Sequence, residues 1–206
     1  MNRAIVFKYD IPEEVKKEFE QQQQLAVDCE MMGLNPYRDR LCLIQIASEN
    51  GTCAIVQIDE EKPPQNVKSI LENEKIEKIF HFARSDILFL KMRLDIQVKN
   101  IYCTKIASRL ARTYTDKHGL KEIVKEFFGE TLDKTITSTD WGNPNLTDEQ
   151  LLYAQNDVIY LFEIKRILNE MLKRENRYEL FLKAIDFLPT RLALDMQGFV
   201  EDIYSH

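Results

Sequence analysis

The chain has 206 residues, 44% hydrophobic and 30% charged, with 28 Lys plus Arg against 34 Asp plus Glu and a net charge of −6. This size suits one domain with a substantial core. The acidic balance argues against a long nonspecific track on nucleic acid, which needs many phosphate-neutralising cations, but permits a short basic groove. No apolar run is long and charge-free enough to span a bilayer, and Met1–Asp10 lacks the apolar core of a signal peptide, so a cytoplasmic protein is expected. Cys29, Cys42, Cys53 and Cys103 form no CxxC pair and read as buried reduced thiols rather than zinc ligands or disulfides.

Residues 3–8 read as a short edge strand and Leu25–Glu30 as a second strand, followed by a turn over Gly33–Tyr37. Leu41–Ala47 and Thr52–Ile58 are strand-like runs joined by Asn50-Gly51, a hairpin signal. Pro63-Pro64 closes that unit, and Asn66–Glu72 is a short helix. Lys78–Phe82 is a strand, Arg84–Leu94 a helix with Ser85 as its cap, and Ile101–Tyr102 a strand leading into a helix through Ala111. His118-Gly119 opens a helix ending near Gly129. Thr131–Asn145 is a polar connection containing Trp141 and Pro144. Thr147 and Gln150 have capping-box spacing and open a long helix through about Lys173. A last helix runs from near Asn176 to before Pro189. The segment 190–206 retains Leu192, Leu194, Met196, Phe199, Val200, Ile203 and Tyr204, so it is expected to dock on its own domain or on a neighbouring subunit. A strand hairpin followed by alternating strands and helices implies an α/β chain with a mixed sheet flanked by helices. No repeat or second domain interrupts residues 1–206.

Four carboxylates stand out against this frame. Asp28 and Glu30 are two apart on a strand and share one face, while Leu25, Val27 and Cys29 take the other. Tyr153 and Asp157 are four apart and share a helix face. Asp86 lies in the first turn of a helix, where an aspartate also has a plain electrostatic reason to be. Each patch alone has an ordinary reading: a solvated strand face, a core tyrosine, a helix-start acid. Taken together they suit hard divalent cations such as Mg²⁺ or Mn²⁺, which favour oxygen ligands and relieve the repulsion between clustered carboxylates. In that reading Asp28, Glu30, Asp86 and Asp157 hold two metals that clamp the attacking and leaving oxygens of a phosphodiester. Tyr153 orients the nucleophilic water, because a free tyrosine with a pKa near 10 is a poor base. No GxGxxG precedes a helix, which removes a dinucleotide-cofactor reading.

In order and spacing, VDCEMMGL, RDRLCLIQI, IFHFARSD, LDKTITSTDW and LTDEQLLYAQNDVIYL resemble the DEDDy 3′–5′ exonucleases of the ribonuclease D pattern, over residues 25–165. CTKIASRLARTYTDKHGLKEI and FLPTRLALD resemble segments of nanoRNase C, a compact bacterial branch, and extend the resemblance over nearly the whole chain. The resemblance implies a ribonuclease H-like fold and a metal-dependent exoribonuclease releasing 5′-mononucleotides from very short RNA, down to dinucleotides. It also implies a ring-like homo-oligomer, reported as an octamer in that branch. Departures from the ribonuclease D pattern fall at Cys29, Cys103, Thr137 and Thr139, and none removes an expected metal ligand.

Further substrate contacts are expected from Met32, as an apolar wedge against a terminal base, and from His81 and Arg84, just before Asp86. Met32 also reads as plain core packing, His81 as a satisfied histidine at a strand end, and Arg84 as a solvated helix-start residue. Residues 105–125 form the most basic stretch, with Tyr114, Lys117 and His118 as candidates for substrate contact or a subunit interface. Two alternatives remain beside the leading one. The first is a broader exonuclease trimming longer RNA or degrading single-stranded DNA, and the second is a catalytically silent RNA-binding scaffold.

Overall fold

A computed structural model describes residues 4–132 and 139–205; Thr137, and the loop contacts expected around it, lie outside the described residues. Six strands form one mixed sheet: β1 (Ile5–Lys8), β2 (Gln24–Met31), β3 (Leu41–Ser48), β4 (Cys53–Gln57), β5 (Glu77–Phe80) and β6 (Ile101–Cys103), in spatial order β1-β4-β3-β2-β5-β6. β2, β3 and β4 pair antiparallel, whereas β1–β4, β2–β5 and β5–β6 are parallel. The β3–β4 hairpin turns at Asn50-Gly51 as expected, and Gly51 takes the positive φ of 91° that such a turn asks of a glycine.

Alternation along β2 sorts its side chains between two cores. Leu25, Val27 and Cys29 join Phe19, Val67, Leu71, Phe89 and Leu90 on one face. These partners come from α1 (Glu13–Glu20), α2 (Gln65–Leu71) and α3 (Ala83–Leu94). Ala26 faces the other core, built with Ala107, Val124, Ala154, Val158 and Leu168. That side is supplied by α4 (Thr104–Ala111), α5 (Leu120–Phe128), α6 (Asp148–Ile159) and α7 (Leu161–Arg174). Asp28 and Glu30, in phase with Ala26, therefore point toward the α6 side at the carboxyl end of the strand.

Four local expectations need correction. Helix α1 escapes sequence reading because PEEVKKEFE offers only Val15 and Phe19 as an apolar stripe, yet Phe19 is fully buried. Helix α3 is entered through Phe82 with no side-chain cap, so Ser85 does not cap it. The expected long helix is interrupted at Tyr160, where the ring packs 5.5 Å from Phe128 and the hydroxyl donates to Glu130. Pro189 does not follow the last helix but sits in the first turn of a further one. There α8 (Tyr178–Asp186) gives way to α9 (Leu188–Met196), and a missing N–H in a first turn costs nothing. The capping box forms as expected: Thr147 N–H donates to Gln150 Oε1 at 2.9 Å, and Gln150 N–H to Thr147 Oγ1 at 3.2 Å.

Helix α9 docks on the chain itself. Leu188 enters the core, and buried Asp195 accepts a fork from Arg84 at 2.7 and 2.6 Å and a third bond from Arg191 at 2.9 Å. Beyond it, Phe199, Val200, Ile203 and Tyr204 stay exposed. All four cysteines are buried and free. Among the described residues no helix is long and apolar enough to cross a membrane.

Candidate active site

The sheet places the acidic patches together. β2 lies between β3 and β5, and its parallel register with β5 pairs Ala26 with Ile79. Carrying that register two residues further brings His81 level with Asp28. Helix α3 leaves β5 after Phe82 and presents buried Asp86 in its first turn. Helix α6 contacts β2 and β3, burying Ala154 and Val158, and this turns Tyr153 and Asp157 toward the carboxyl end of β2. Asp28, Glu30 and Asp157 each offer a carboxylate oxygen within 4.8 Å of the others. Asp86 stands outside that trio, but its charge acts on Asp28 and Glu30 and is itself acted on by Asp157.

Burial is the chief cause of the electrostatics here, and mutual repulsion adds to it. Asp28, Glu30 and Asp86 are all held well above the usual carboxylate range, and Asp157 is pushed up to about 7. Four acids with this much incentive to stay protonated gain from a nearby cation, which relieves their repulsion and favours their charged forms. An all-oxygen donor set suits Mg²⁺ or Mn²⁺. The Tyr153 hydroxyl hydrogen-bonds to Asp157, and burial with the nearby carboxylates pushes the phenol above its ordinary value. It is therefore a neutral donor at physiological pH and not a base. Its ring lies 5.8 Å from that of buried Trp141.

Met32 follows a register shift between Glu30 and Met31 that turns the chain out of the sheet. Its N–H returns to the Arg40 carbonyl at 3.0 Å, and its side chain is half exposed beside Gly142. The intervening loop is tied by Asp39, which accepts from the Asn35 N–H at 2.9 Å and from Arg38. A Cβ on Gly33 would sit 2.1 Å from the Asp39 carboxylate, so a side chain there would push Asp39 off its bonds to Asn35 and Arg38. Met32 is thus presented to the surface rather than packed in the core.

His81 Nδ1 lies 2.9 Å from Thr104 Oγ1, whose own hydrogen goes to the Phe80 carbonyl at 3.1 Å. Burial lowers the histidine to about 3, so it stays neutral. Arg84, expected near substrate, spends its guanidinium fork on Asp195.

Tyr114, Lys117 and His118 are brought together by a residue that sequence reasoning passed over. Arg112, fully buried, donates to Ser108 Oγ at 2.9 Å, to the Lys117 carbonyl at 2.8 Å and to Glu126. Ser108 Oγ also meets His118 Nδ1 at 2.9 Å, and the Tyr114 hydroxyl donates to Glu126 at 2.6 Å. One buried cation thus ties the whole 112–118 loop to α4 and α5. In the sequence it is one arginine in a basic run, with nothing to mark it as internal.

Residues 4–173 match a family model described as 3′-5′ exonuclease. Ribonuclease D of Bartonella henselae is 31% identical over 153 residues, covering 74% of this chain and 37% of that enzyme. Ribonuclease D of Sphingobium indicum is 32% identical over 157 residues, covering 74% and 39%. The chain thus spans about two fifths of the length of the curated ribonucleases D it matches. Among solved structures, Brucella melitensis NrnC is 39% identical with a TM-score of 0.92, over 99% of this chain and 98% of that one. The same protein with bound Mg²⁺ gives 38% and 0.91, and bound to pGG 39% and 0.92, with both chains covered completely in each case.

Proposed function

The chain belongs to the 3′–5′ exonuclease family, and on that footing we propose that it removes 5′-mononucleotides from the 3′ ends of very short single-stranded RNA, dinucleotides included. The observation that carries the reading is the convergence of Asp28, Glu30 and Asp157 oxygens within 4.8 Å beside buried Asp86 and Tyr153. The likeness to NrnC, solved with Mg²⁺ and with pGG, supports the same substrate class.

In this reading Asp28, Glu30 and Asp157, with Asp86 beside them, would hold the divalent metals. Bound Mg²⁺ or Mn²⁺ supplies charge that polarises the phosphate and lowers the pKa of water. Asp157 accepts the Tyr153 hydroxyl hydrogen bond and so fixes that phenol against the cluster. Tyr153, kept protonated by burial, orients the attacking water by hydrogen bonding. Met32 wedges against a terminal base, and neutral His81 contacts a phosphate or base of the substrate. Tyr114, Lys117 and His118 contact the substrate or a neighbouring subunit beside it, in keeping with their position on one tied loop. Arg84 acts through Asp195, by fixing α9, rather than on the substrate.

Residues 1–206 act as one exonuclease domain. Its exposed apolar end, Phe199 to Tyr204, packs against a second copy in a ring-like homo-oligomer. The four free buried thiols suit the reducing cytoplasm. Light scattering checks the assembly, and a clean monomer at working concentration contradicts it.

The catalytic reading is tested with a 5′-labelled pentaribonucleotide in Mg²⁺. The label should step down one nucleotide at a time, and cleavage should vanish in EDTA and in Asp28→Ala at unchanged circular dichroism. Internal cuts, or near-normal turnover in Asp28→Ala, would overturn it.

A further inference from the structure

A second cavity lies on the far side of the start of α3, outside the acidic centre. It measures about 430 Å³ and is walled by Phe82, Lys105, Arg109, Phe187 and Arg191, with Arg84 at its edge. That volume falls within the range of small-ligand sites.

Three observations set this cavity apart from an ordinary surface dimple. Its charge is one-sided: Arg84 and Arg191 are balanced by Asp195, but Lys105 and Arg109 have no carboxylate partner among the described residues. Lys105 is held below its ordinary value by burial and by the neighbouring Arg109, so the pair gains from a counter-anion. Its walls are aromatic: Phe82 is 44% exposed and Phe187 40% exposed, and the Lys105 ammonium sits 3.8 Å from the Phe82 ring centroid. Finally, Phe82 is strained. It holds a φ of 68°, a left-handed conformation that a bulky side chain adopts only when its surroundings impose it, and such strain gathers at functional positions.

We propose that this cavity is a second nucleotide-binding site, with Lys105 and Arg109 taking a phosphate and Phe82 and Phe187 flanking the base. An unpaired cation pair beside two half-exposed rings matches a phosphate joined to a flat heterocycle. Phe82 directly follows His81 in the chain, so the cavity adjoins the end of β5. The phosphate has two possible sources: a free 5′-mononucleotide, or a further nucleotide of an RNA longer than two. Only the ligand class is borrowed from the nuclease reading, and an empty cavity would leave hydrolysis at the acidic centre untouched.

The test is titration calorimetry in EDTA, where the carboxylate cluster holds no metal and repels phosphate. The probes are AMP, adenosine, and 5′-phosphorylated di- and triribonucleotides. The proteins are the wild type, Lys105→Gln with Arg109→Gln, and the charge-keeping Lys105→Arg with Arg109→Lys. We expect AMP or the trinucleotide to bind the wild type one per chain and about tenfold or more weaker to the double Gln variant, with the charge-keeping pair restoring most of the affinity. Adenosine should bind as weakly to the wild type as to the double Gln variant. A loss confined to AMP identifies a free-nucleotide site, and a loss confined to the trinucleotide identifies a subsite for a longer strand. If both probes bind the wild type and the double Gln variant alike, or bind neither without Mg²⁺, the cavity holds no nucleotide and the inference fails. Hydrolysis of the dinucleotide by the double Gln variant is measured in parallel. Its retention shows that any loss of binding is not a loss of the acidic centre.

Discussion

Replacing Asp157 by asparagine should stabilise the metal-free protein while abolishing its activity. Asp157 is pushed up to about 7 by burial, against an ordinary aspartate near 3.9. A gap of about three pH units at about 1.4 kcal/mol each makes the ionised side chain cost at most about 4 kcal/mol in the folded state. The sign follows from proton uptake. Below about pH 4 both states are protonated and there is no penalty. Between about 4 and 7 the unfolded chain ionises while the folded one keeps its proton, so stability falls as pH rises, and above about 7 the whole penalty is present. The same scheme gives about 1–2 kcal/mol at pH 5 and at most about 4 kcal/mol at pH 8 as the gain from an isosteric neutral amide, which still accepts the Tyr153 hydrogen bond. Urea unfolding in EDTA at both pH values measures this difference. Mg²⁺ should reverse the order at pH 8 by stabilising only the wild type. If Asp157→Asn in EDTA at pH 8 is no more stable than the wild type, the cluster is not the strained, cation-demanding site described here.

Tyr153→Phe removes only the hydroxyl and should lower kcat about a hundredfold, while the Mg²⁺ concentration for half-maximal activity stays within about threefold. A shift in metal demand alone would make the tyrosine a ligand-positioning group instead. Arg112→Gln frees the 112–118 loop; KM for a dinucleotide should rise about tenfold with kcat nearly constant, as read from initial rates across substrate concentration. Arg84→Ala leaves buried Asp195 with Arg191 alone and should cost about 1–2 kcal/mol in urea unfolding, since Arg84 is itself partly exposed. Limited chymotrypsin digestion should then cut faster after exposed Phe199 and Tyr204.

The sequence reveals its local periods well and its long-range partners poorly. The two-residue spacing of Asp28 and Glu30, the four-residue spacing of Tyr153 and Asp157, the Asn50-Gly51 hairpin and the Thr147–Gln150 box each express a period or a turn chemistry. All of these elements appear in the structure where expected. Asp195 and Arg84, 111 residues apart, carry no local sign of their ion pair. Arg112 looks like any solvated cation until α5 brings Glu126 to it. The left-handed backbone at Phe82 is likewise invisible, because nothing in the residue type asks for it. The boundary at Tyr160 between α6 and α7 also has no sign in the helical pattern.

The most direct test of the central claim is a time course on 5′-labelled RNAs of two, three, five, seven and twenty nucleotides in Mg²⁺ or Mn²⁺, with EDTA and Asp28→Ala as controls. A marked rate advantage for the dinucleotide, lost in both controls, is the predicted result. Equal or faster cleavage of the longer RNAs would contradict it and point to a general 3′-trimming exonuclease.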